Sequence, residues 1–372
     1  MKIQSIKVHE VTGNGPGSPP LRSGTVRVRQ LFLEILTDEG LSGFYGPIDL
    51  AAAMHVTSLL EPELIGMDPL PWQRLWYGLL ARHRRHGWTG AIMMAIASVD
   101  NTLWDLRGKA AGVPVYKLLG GPTRDRIRVY ASMGGFPHEP APLAEHAQAT
   151  RRAGFTAQKW FFDPGPRAGR ADMVKDLALV RNVREAVGDD YDLMFDATMH
   201  WDADYAIAVA RDMLAQRPTW LEEPVPAMQM NGYVRIKQAT GIPLAGGEHL
   251  YSRWDVRPYL EAGAVDFVQA DPEWAGGISE LTRICAMAAA YGVKVCPHGH
   301  TIVAAAHVIA SQPESVCPIQ EYLFSSAERR HCFLKHPLVP EGGALPLPSK
   351  PGLGVELDEA KIESRREVSW RG

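Results

Sequence analysis

Seven ionisable side chains stand at regular intervals through the second half of this 372-residue sequence. Successive members lie 23 to 37 residues apart, and each comes at the end of a short apolar run. They are Lys159, Asp196, Glu222, Glu248, Asp271, His298 and Glu321. One strand and one helix fit in such an interval, so the spacing predicts parallel strands that each deliver one group to a common edge. A single acid at a strand end is ordinarily a helix cap or a surface charge, but seven in order indicate a catalytic site.

Three of these acids, Asp196, Glu222 and Glu248, predict a metal site. Like charges on neighbouring strands repel and raise one another's pKa values unless a cation lies between them. The three residues offer oxygen ligands only, which suit a hard ion such as Mg²⁺. Zinc is disfavoured because no histidine accompanies the first two acids as a ligand. The sequence therefore predicts Mg²⁺ as the cofactor.

Asp271 and His298 form a second pair with predicted chemistry. A carboxylate that accepts one imidazole N–H fixes the tautomer of the ring and makes the other nitrogen a better base. The alternative is a structural histidine bonded to a buried aspartate. The neighbouring acids favour the functional interpretation, in which His298 removes a proton.

The elements that must position these groups alternate from about residue 127 onward. Gly154, Gly188, Gly241, Gly263 and Gly292 end the helices between the predicted strands. The predicted strands are Val129–Met133, Ala157–Phe161, Leu193–Asp196, Trp220–Glu222, Pro243–Gly246, Phe267–Gln269, Val293–Pro297 and Val316–Glu321. Eight strands with intervening helices predict a parallel β/α barrel.

The first part of the chain follows a different pattern, with strands first and helices afterwards, which predicts a separate α+β domain. Strands are expected at Ile3–His9 and Val26–Leu36, and helices at Ala51–Leu60, Pro71–His83 and Thr89–Ala111. Gly13–Pro20 is predicted to be a mobile loop, either a simple connection or an active-site lid. We expect domains at residues 1–122 and 123–335, with residues 336–372 packing back on the first domain.

Composition excludes several classes of protein. A net charge of −3 gives no basic footprint for nucleic acid. No apolar stretch of about 18 residues predicts a membrane span. The four cysteines lack the close pairing of a zinc cluster and are too few for a disulfide scaffold. The start of the chain lacks the apolar core of a signal peptide, so a cytoplasmic location is expected.

The motifs around these residues resemble the enolase superfamily, specifically its mandelate racemase subgroup. The matching stretches are Gly154–Lys159, Met194–Ala197, Trp220–Pro224, Gly246–His249, Gln269–Pro272, Pro297–Gly299 and Gln320–Tyr322, with Ala97–Lys109 and Pro351–Glu356 flanking them. The resemblance implies a modified TIM barrel, (β/α)7β, with an N-terminal α+β capping domain completed by the C-terminal tail. It also implies a homo-oligomer.

The same resemblance assigns roles to the seven residues. Asp196, Glu222 and Glu248 would bind Mg²⁺, and Asp271 with His298 would form the base dyad. Glu321 would hydrogen-bond the developing enediolate, and Lys159 would contact the substrate carboxylate.

Two departures from the family pattern narrow the expected reaction. Phe161 stands where the racemases have a second lysine, and Thr198 follows Asp196–Ala197 where asparagine is common. With one base, His298 would remove the proton alpha to a carboxylate and return it to the leaving 3-hydroxyl. The expected reaction is dehydration of a sugar acid to a 2-keto-3-deoxy acid, most similar to that of L-rhamnonate dehydratase and its relatives.

Substrate contacts are expected from both domains. The Gly-rich loop of the first domain and the turn at Tyr45 can close over the site and exclude water. The candidate contacts are Arg22, Tyr45, Thr198, His249 and His300, with His200 as a further neighbour.

Three alternatives to a dehydratase remain at this point. A racemase or epimerase of a 2-hydroxy acid would use the same enediolate and an unrecognised second base. A metal-dependent hydrolase would need a His-x-His near the first barrel strand, and Val129–Met133 has none. A non-enzymatic binder of metal and anion would need the acids and Lys159 but not the Asp271–His298 pair.

Overall fold

A computed structural model describes residues 1–18, 24–163, 165 and 169–370. The strands are β1 (Ile3–Pro16), β2 (Thr25–Thr37), β3 (Ser42–Ile48), β4 (Arg126–Ser132), β5 (Ala157–Phe161), β6 (Asp192–Asp196), β7 (Trp220–Glu222), β8 (Leu244–Gly246), β9 (Phe267–Val268), β10 (Lys294–Val295), β11 (Gln320–Leu323), β12 (Ala344–Pro346) and β13 (Ser364–Val368). The α-helices are α1 (Leu50–His55), α2 (Glu61–Leu64), α3 (Trp72–His83), α4 (Ala91–Ala110), α5 (Val115–Leu118), α6 (Pro140–Arg152), α7 (Arg170–Val187), α8 (Ala203–Met213), α9 (Met230–Thr240), α10 (Arg253–Glu261), α11 (Ile278–Ala290), α12 (Ile302–Ser311) and α13 (Ala327–Arg330). None of these helices is both long enough and apolar enough to span a membrane.

Two sheets organise the chain. The first is antiparallel with the order β13-β1-β2-β3, so the last strand of the chain completes a sheet that the first residues begin. The second is parallel and runs from β4 through β10 in sequence order, with β11 beside β4. A hydrogen bond from Val295 N to Val316 O, 2.8 Å long, links the two ends of the parallel sheet.

This topology confirms the predicted fold class, a (β/α)7β barrel with an N-terminal α+β domain completed by the C-terminal tail. The predicted strands Ala157–Phe161 and Trp220–Glu222 have the bounds that the structure gives to β5 and β7. Strand β11 begins later than predicted, at Gln320, because Pro318 has no N–H for a strand ladder. The domain boundaries at residues 122 and 335 stay predictions.

The expectation of a mobile loop at Gly13–Pro20 is wrong for its first half. Residues 13–16 continue β1 and pair with β2 as far as Pro16 opposite Thr25. The glycines there permit close packing, because a Cβ on Gly13 would lie 2.5 Å from Lys361 O and one on Gly15 would lie 2.8 Å from Val28 Cγ2. Residues 19–20 lie outside the described part of the chain.

Helix α4 of the first domain holds the barrel segment that follows β9. Asn101 donates from Nδ2 to Pro272 O at 3.0 Å and accepts from Ile278 N at 2.9 Å. Asp100 accepts from the backbone N and the hydroxyl of Ser279 at 2.9 and 2.7 Å. These bonds are buried, so the first domain fixes the barrel segment that carries Asp271.

A buried histidine joins three further segments. The Nδ1 atom of His307, on α12, accepts from Tyr116 N at 3.1 Å, and its Nε2–H donates to Leu353 O at 3.3 Å. This pattern requires the neutral ring, and burial lowers the pKa of His307 to about 4. His307 therefore stabilises the contact between α5, α12 and the C-terminal segment only while it is uncharged.

We predict that Asn101→Ala lowers the free energy of unfolding by about 2–4 kcal/mol, because it leaves one buried N–H and one buried carbonyl unpaired. Urea unfolding followed by circular dichroism measures the change. Asn14→Ala is the matched control, since that asparagine is exposed and its side chain, among the described residues, donates to Glu363. Equal stability of the two variants would show that α4 does not hold the segment.

We also predict acid-sensitive stability from His307. Its folded pKa of about 4 lies below the ordinary 6.5, so the unfolded chain binds the proton first. The contribution is complete above pH 6.5 and is lost as pH falls towards 4, by up to about 3 kcal/mol. His307→Gln should give a flatter dependence of the unfolding free energy on pH in this range. An unchanged slope would contradict the assignment.

Candidate active site

The seven predicted residues lie at the carboxyl-terminal edge of the barrel. Lys159, Asp196, Glu222 and Glu321 belong to strands β5, β6, β7 and β11, and the other three follow β8, β9 and β10 within three residues. Six of the seven are buried and Glu248 is partly buried. This edge is where barrel enzymes assemble their active sites, because every strand end opens there.

Lys159 lies inside the group of acids. Its Nζ is 3.1 Å from Asp196 Oδ2 and 2.8 Å from Glu321 Oε1, and it also bonds Glu222 Oε1. Burial alone would disfavour the ammonium, but the charges of Glu222 and Glu321 raise the pKa of Lys159 well above its ordinary value. The surrounding acids therefore stabilise a positive charge at the centre of the site.

The acids keep more negative charge than one lysine balances. Burial raises the pKa of Glu222 well above its ordinary value, and the charge of Asp196 adds to the effect. Burial likewise raises the pKa values of Asp196 and Glu248. A set of buried carboxylates that must take up protons fits a hard divalent cation with oxygen ligands.

A second group of possible ligands overlaps this one at Glu248. Ligand atoms of Glu223, Glu248 and His249 all lie within 4.8 Å of one another. Here Nδ1 of His249 is already bonded to both carboxylate oxygens of Glu223, at 3.0 and 3.1 Å. Either group must rearrange to hold a cation, because His249 would have to release Glu223 and Lys159 would have to leave Asp196 and Glu222. We favour Asp196, Glu222 and Glu248 because the resemblance to the family implies those ligands.

His298 is held between Asp271 and the acids. Its Nδ1–H donates to Asp271 Oδ2 at 2.8 Å, which leaves Nε2 3.5 Å from Glu248 Oε1 and 3.8 Å from Glu321 Oε2. Burial opposes the imidazolium, but the charge of Glu248 and the bond to Asp271 raise the pKa of His298 to about 10. The ring therefore presents Nε2, the nitrogen that can exchange a proton, towards the acids.

Glu321 is the residue that Lys159 and His298 share. Its Oε2 accepts from Gly299 N at 3.0 Å. Burial favours the neutral acid, but the charges of Lys159 and His298 lower the pKa of Glu321 to about 2. In this arrangement Glu321 is an ionised carboxylate.

The expected substrate contacts divide into three groups. Arg22 lies outside the described residues. The hydroxyl of Tyr45 is buried and donates to Glu273 Oε1 at 2.8 Å. Thr198, His249 and His300 are part-exposed at the edge of the site.

The backbone after β6 and β7 is strained. Thr198, Met199 and Glu223 have φ values of +47°, +62° and +37°, a region that favours glycine. Thr198 N donates to Asp196 Oδ1 at 2.8 Å, so the turn aims that carboxylate. Strain of this kind is typical of functional sites, where the surrounding structure maintains it.

Sequence reasoning missed the role of the segment after Asp271. Trp274 packs beside three imidazoles, with ring centroids 5.7 Å from His249, 5.2 Å from His298 and 5.6 Å from His300. Glu273 accepts from His300 as well as from Tyr45. The signal was present in the sequence, since Glu273 and Trp274 directly follow the motif that ends at Pro272.

Phe161 places an apolar ring at the position where the family pattern would have a second lysine. The ring centroid lies 5.0 Å from Lys159 Nζ. A phenyl group neither gives nor accepts protons, so this part of the wall carries no base.

Comparisons with known proteins agree with this architecture. Residues 12–120 match the family model for the N-terminal domain of mandelate racemase / muconate lactonizing enzyme, and residues 142–361 match the model described as enolase C-terminal domain-like. A protein of Variovorax paradoxus named D-galactonate dehydratase is 36% identical over 380 residues, which cover 94% of this chain and 95% of that protein.

Solved structures show the same fold along the whole chain. The 3,6-anhydro-D-galactonate cycloisomerase of Zobellia galactanivorans has a TM-score of 0.83 at 28% identity, covering 98% of this chain and 100% of that one. A mandelate racemase/muconate lactonizing protein of Paracoccus denitrificans, complexed with magnesium, has a TM-score of 0.87 at 27% identity and covers 99% of each chain.

We predict that Lys159→Met makes the stability of the protein more dependent on divalent cations. Without the ammonium, the buried carboxylates repel one another more strongly, so the melting temperature in EDTA should fall. Excess Mg²⁺ should then raise it by more than in the unmodified protein, and a hundredfold excess over Kd corresponds to about 2.7 kcal/mol.

Differential scanning calorimetry with and without Mg²⁺ measures this effect. Lys175→Met, which removes an exposed lysine of α7, is the control and should behave like the unmodified protein. No response to Mg²⁺ in any of the three proteins would remove the cation site from this account.

Proposed function

This chain belongs to the mandelate racemase and muconate lactonizing enzyme family of the enolase superfamily, and from that premise we propose that it is a sugar-acid dehydratase. The observation that carries the proposal is His298, held by Asp271 with Nε2 facing the buried acids. Relatives named D-galactonate dehydratase support the same class of reaction.

Asp196, Glu222 and Glu248 would hold Mg²⁺. When bound, the ion supplies positive charge that stabilises the negative charge developing on the substrate carboxylate. Solved relatives that contain magnesium support this choice of metal. Lys159 adds a second positive charge at the same place, since its ammonium lies among the acids.

His298 carries the proton through both halves of the reaction. Nε2 takes the proton alpha to the carboxylate, and Asp271 stabilises the imidazolium that forms. The electron pair left on C2 expels the 3-hydroxyl, which takes the same proton from Nε2 and leaves as water. The resulting enol becomes a 2-keto-3-deoxy acid.

A single acid–base group suits this reaction better than a racemisation. Phe161 offers no second base beside Lys159, so a proton removed at one face is returned at that face. A homo-oligomer and a cytoplasmic location are further proposals, which rest on membership of this family.

The direct test is a screen for 2-keto acid formation over a panel of mono- and di-acid sugars with Mg²⁺. We expect product from at least one member, and none after EDTA treatment. The absence of product from every member would favour a non-enzymatic metal and anion binder.

We predict that His298→Asn lowers kcat by about 100- to 10,000-fold, the usual contribution of a general base. Asn fills similar space, so Mg²⁺ affinity measured by calorimetry should change little. The control is His336→Asn, because this histidine is exposed and lies outside the candidate active site. Retained turnover in His298→Asn would assign the base elsewhere.

The alternative is a racemase or epimerase acting through the same enediolate. The hydrogen bond between His249 and Glu223 supports this alternative, because the two residues form a second imidazole–carboxylate pair near the acids. Incubation in D₂O separates the two. Inversion at C2 with deuterium incorporated and the 3-hydroxyl retained would establish the racemase, whereas loss of water establishes the dehydratase.

A further inference from the structure

A cavity of about 580 Å³ lies where the first domain meets the barrel. One wall consists of residues 26–31 of β2, and another of residues 47–50 after β3. The barrel contributes His300, Arg329 and Arg330, so the cavity extends outward from the edge of the candidate active site. Its volume is in the range of small-molecule binding sites.

The lining of this cavity is rich in arginine. Among the described residues it contains four arginines and a single carboxylate, Asp49. Arg27 and Arg29 are balanced by ion pairs with Glu363 and Glu10 outside the lining.

The remaining two arginines, Arg329 and Arg330, form no ion pair with a carboxylate of the described residues. Their positive charge is therefore available to a ligand in the cavity.

Arg330 is oriented by a neutral partner. Its Nη1 donates to His300 Nε2 at 2.7 Å, and the opposite nitrogen of that ring donates to Glu273. This leaves the Nε–H of Arg330 buried and without a partner among the described residues. A guanidinium held in this way can bind a planar anion through two parallel N–H groups.

Gln30 contributes the complementary group from the first domain. Its Nε2 donates to the carbonyls of Arg329 and Arg330 at 3.0 and 2.9 Å, which holds the end of α13 against β2. Its Oε1 is buried and accepts from none of the described residues. Gln30 therefore fixes the backbone that carries the two arginines, and its Oε1 has no free surface for a ligand in this structure.

The cavity adjoins the candidate catalytic groups at His300. His300 N donates to Asp271 Oδ2 at 3.3 Å, and the rings of His298 and His300 have centroids 6.3 Å apart. Ile48 and Asp49 line both this cavity and a small void beside Trp274. A substrate whose first carboxylate lies among the acids can therefore extend past His300 towards Arg330.

We propose that Arg329 and Arg330 bind a second anionic group at the far end of the substrate, so the preferred substrates are sugar diacids. This inference rests on the proposed function and names its substrate class. Gln30 would keep the two arginines in place through its bonds to their carbonyls. A sugar acid with a terminal phosphate offers the same charge, and the test separates the two.

The test compares matched substrates on the full-length protein with Mg²⁺. The panel is galactarate with D-galactonate, D-glucarate with D-gluconate, and 6-phosphogluconate. We expect kcat/KM for the better diacid to exceed that of its mono-acid by about 10- to 100-fold, the size of one charged hydrogen-bonded contact. Preference for 6-phosphogluconate would assign the cavity to a phosphate and overturn the diacid assignment.

Two variants locate the preference. Arg330→Gln should reduce the ratio of the two kcat/KM values at least tenfold, mainly through KM for the diacid. Arg235→Gln removes an exposed arginine paired with Asp204 on the outer helices and should leave the ratio unchanged. An unchanged ratio in Arg330→Gln, or equal kcat/KM values in the unmodified protein, overturns the inference.

Binding measurements distinguish this failure from failure of the proposed function. If mono-acids are turned over with no preference for diacids, the protein is still a dehydratase but the diacid assignment is wrong. If calorimetry detects binding of a diacid that depends on Arg330, without any turnover, the anion site is supported and the dehydratase assignment is wrong.

Discussion

Buried negative charge at one edge of the barrel determines how the groups of the candidate active site are arranged. Parallel strands bring Asp196, Glu222 and Glu248 together where little water reaches them, and burial raises the pKa of each carboxyl group. Lys159 offsets part of the charge, and His298 takes its raised pKa from the same acids. A divalent cation would complete the balance and leave His298 free to act as a base.

The first domain takes part in the site and does more than cover it. Helix α4 holds the segment after β9 through Asn101, and Tyr45 reaches Glu273 in that same segment. Gln30 holds the end of α13 beside the cavity. The proposed contacts to the far end of the substrate, Arg329 and Arg330, also belong to the barrel, so the first domain acts on them through these buried hydrogen bonds.

The position of the candidate catalytic groups at one edge of the barrel could be predicted because strand ends carry a local signal. Each of them follows an apolar run at an interval of one β/α unit, as at Lys159 and Glu222, whose strands have the predicted bounds. The glycines near residue 13 led to the wrong prediction of a loop. Composition does not distinguish a glycine needed for close packing from a glycine in a loop. Nothing in the sequence pattern indicated a role for Arg330. Its partners Gln30 and His300 lie far away in the sequence and contact it only in the folded chain.

The most direct measurement is diffraction from crystals grown with Mn²⁺, whose anomalous signal locates the ion. We predict a single peak about 2.1 Å from oxygens of Asp196, Glu222 and Glu248, with Nε2 of His298 facing an open position of the ion. The ammonium of Lys159 should move from its place among the acids. A peak between Glu223, Glu248 and His249, or none at this edge of the barrel, would contradict the account.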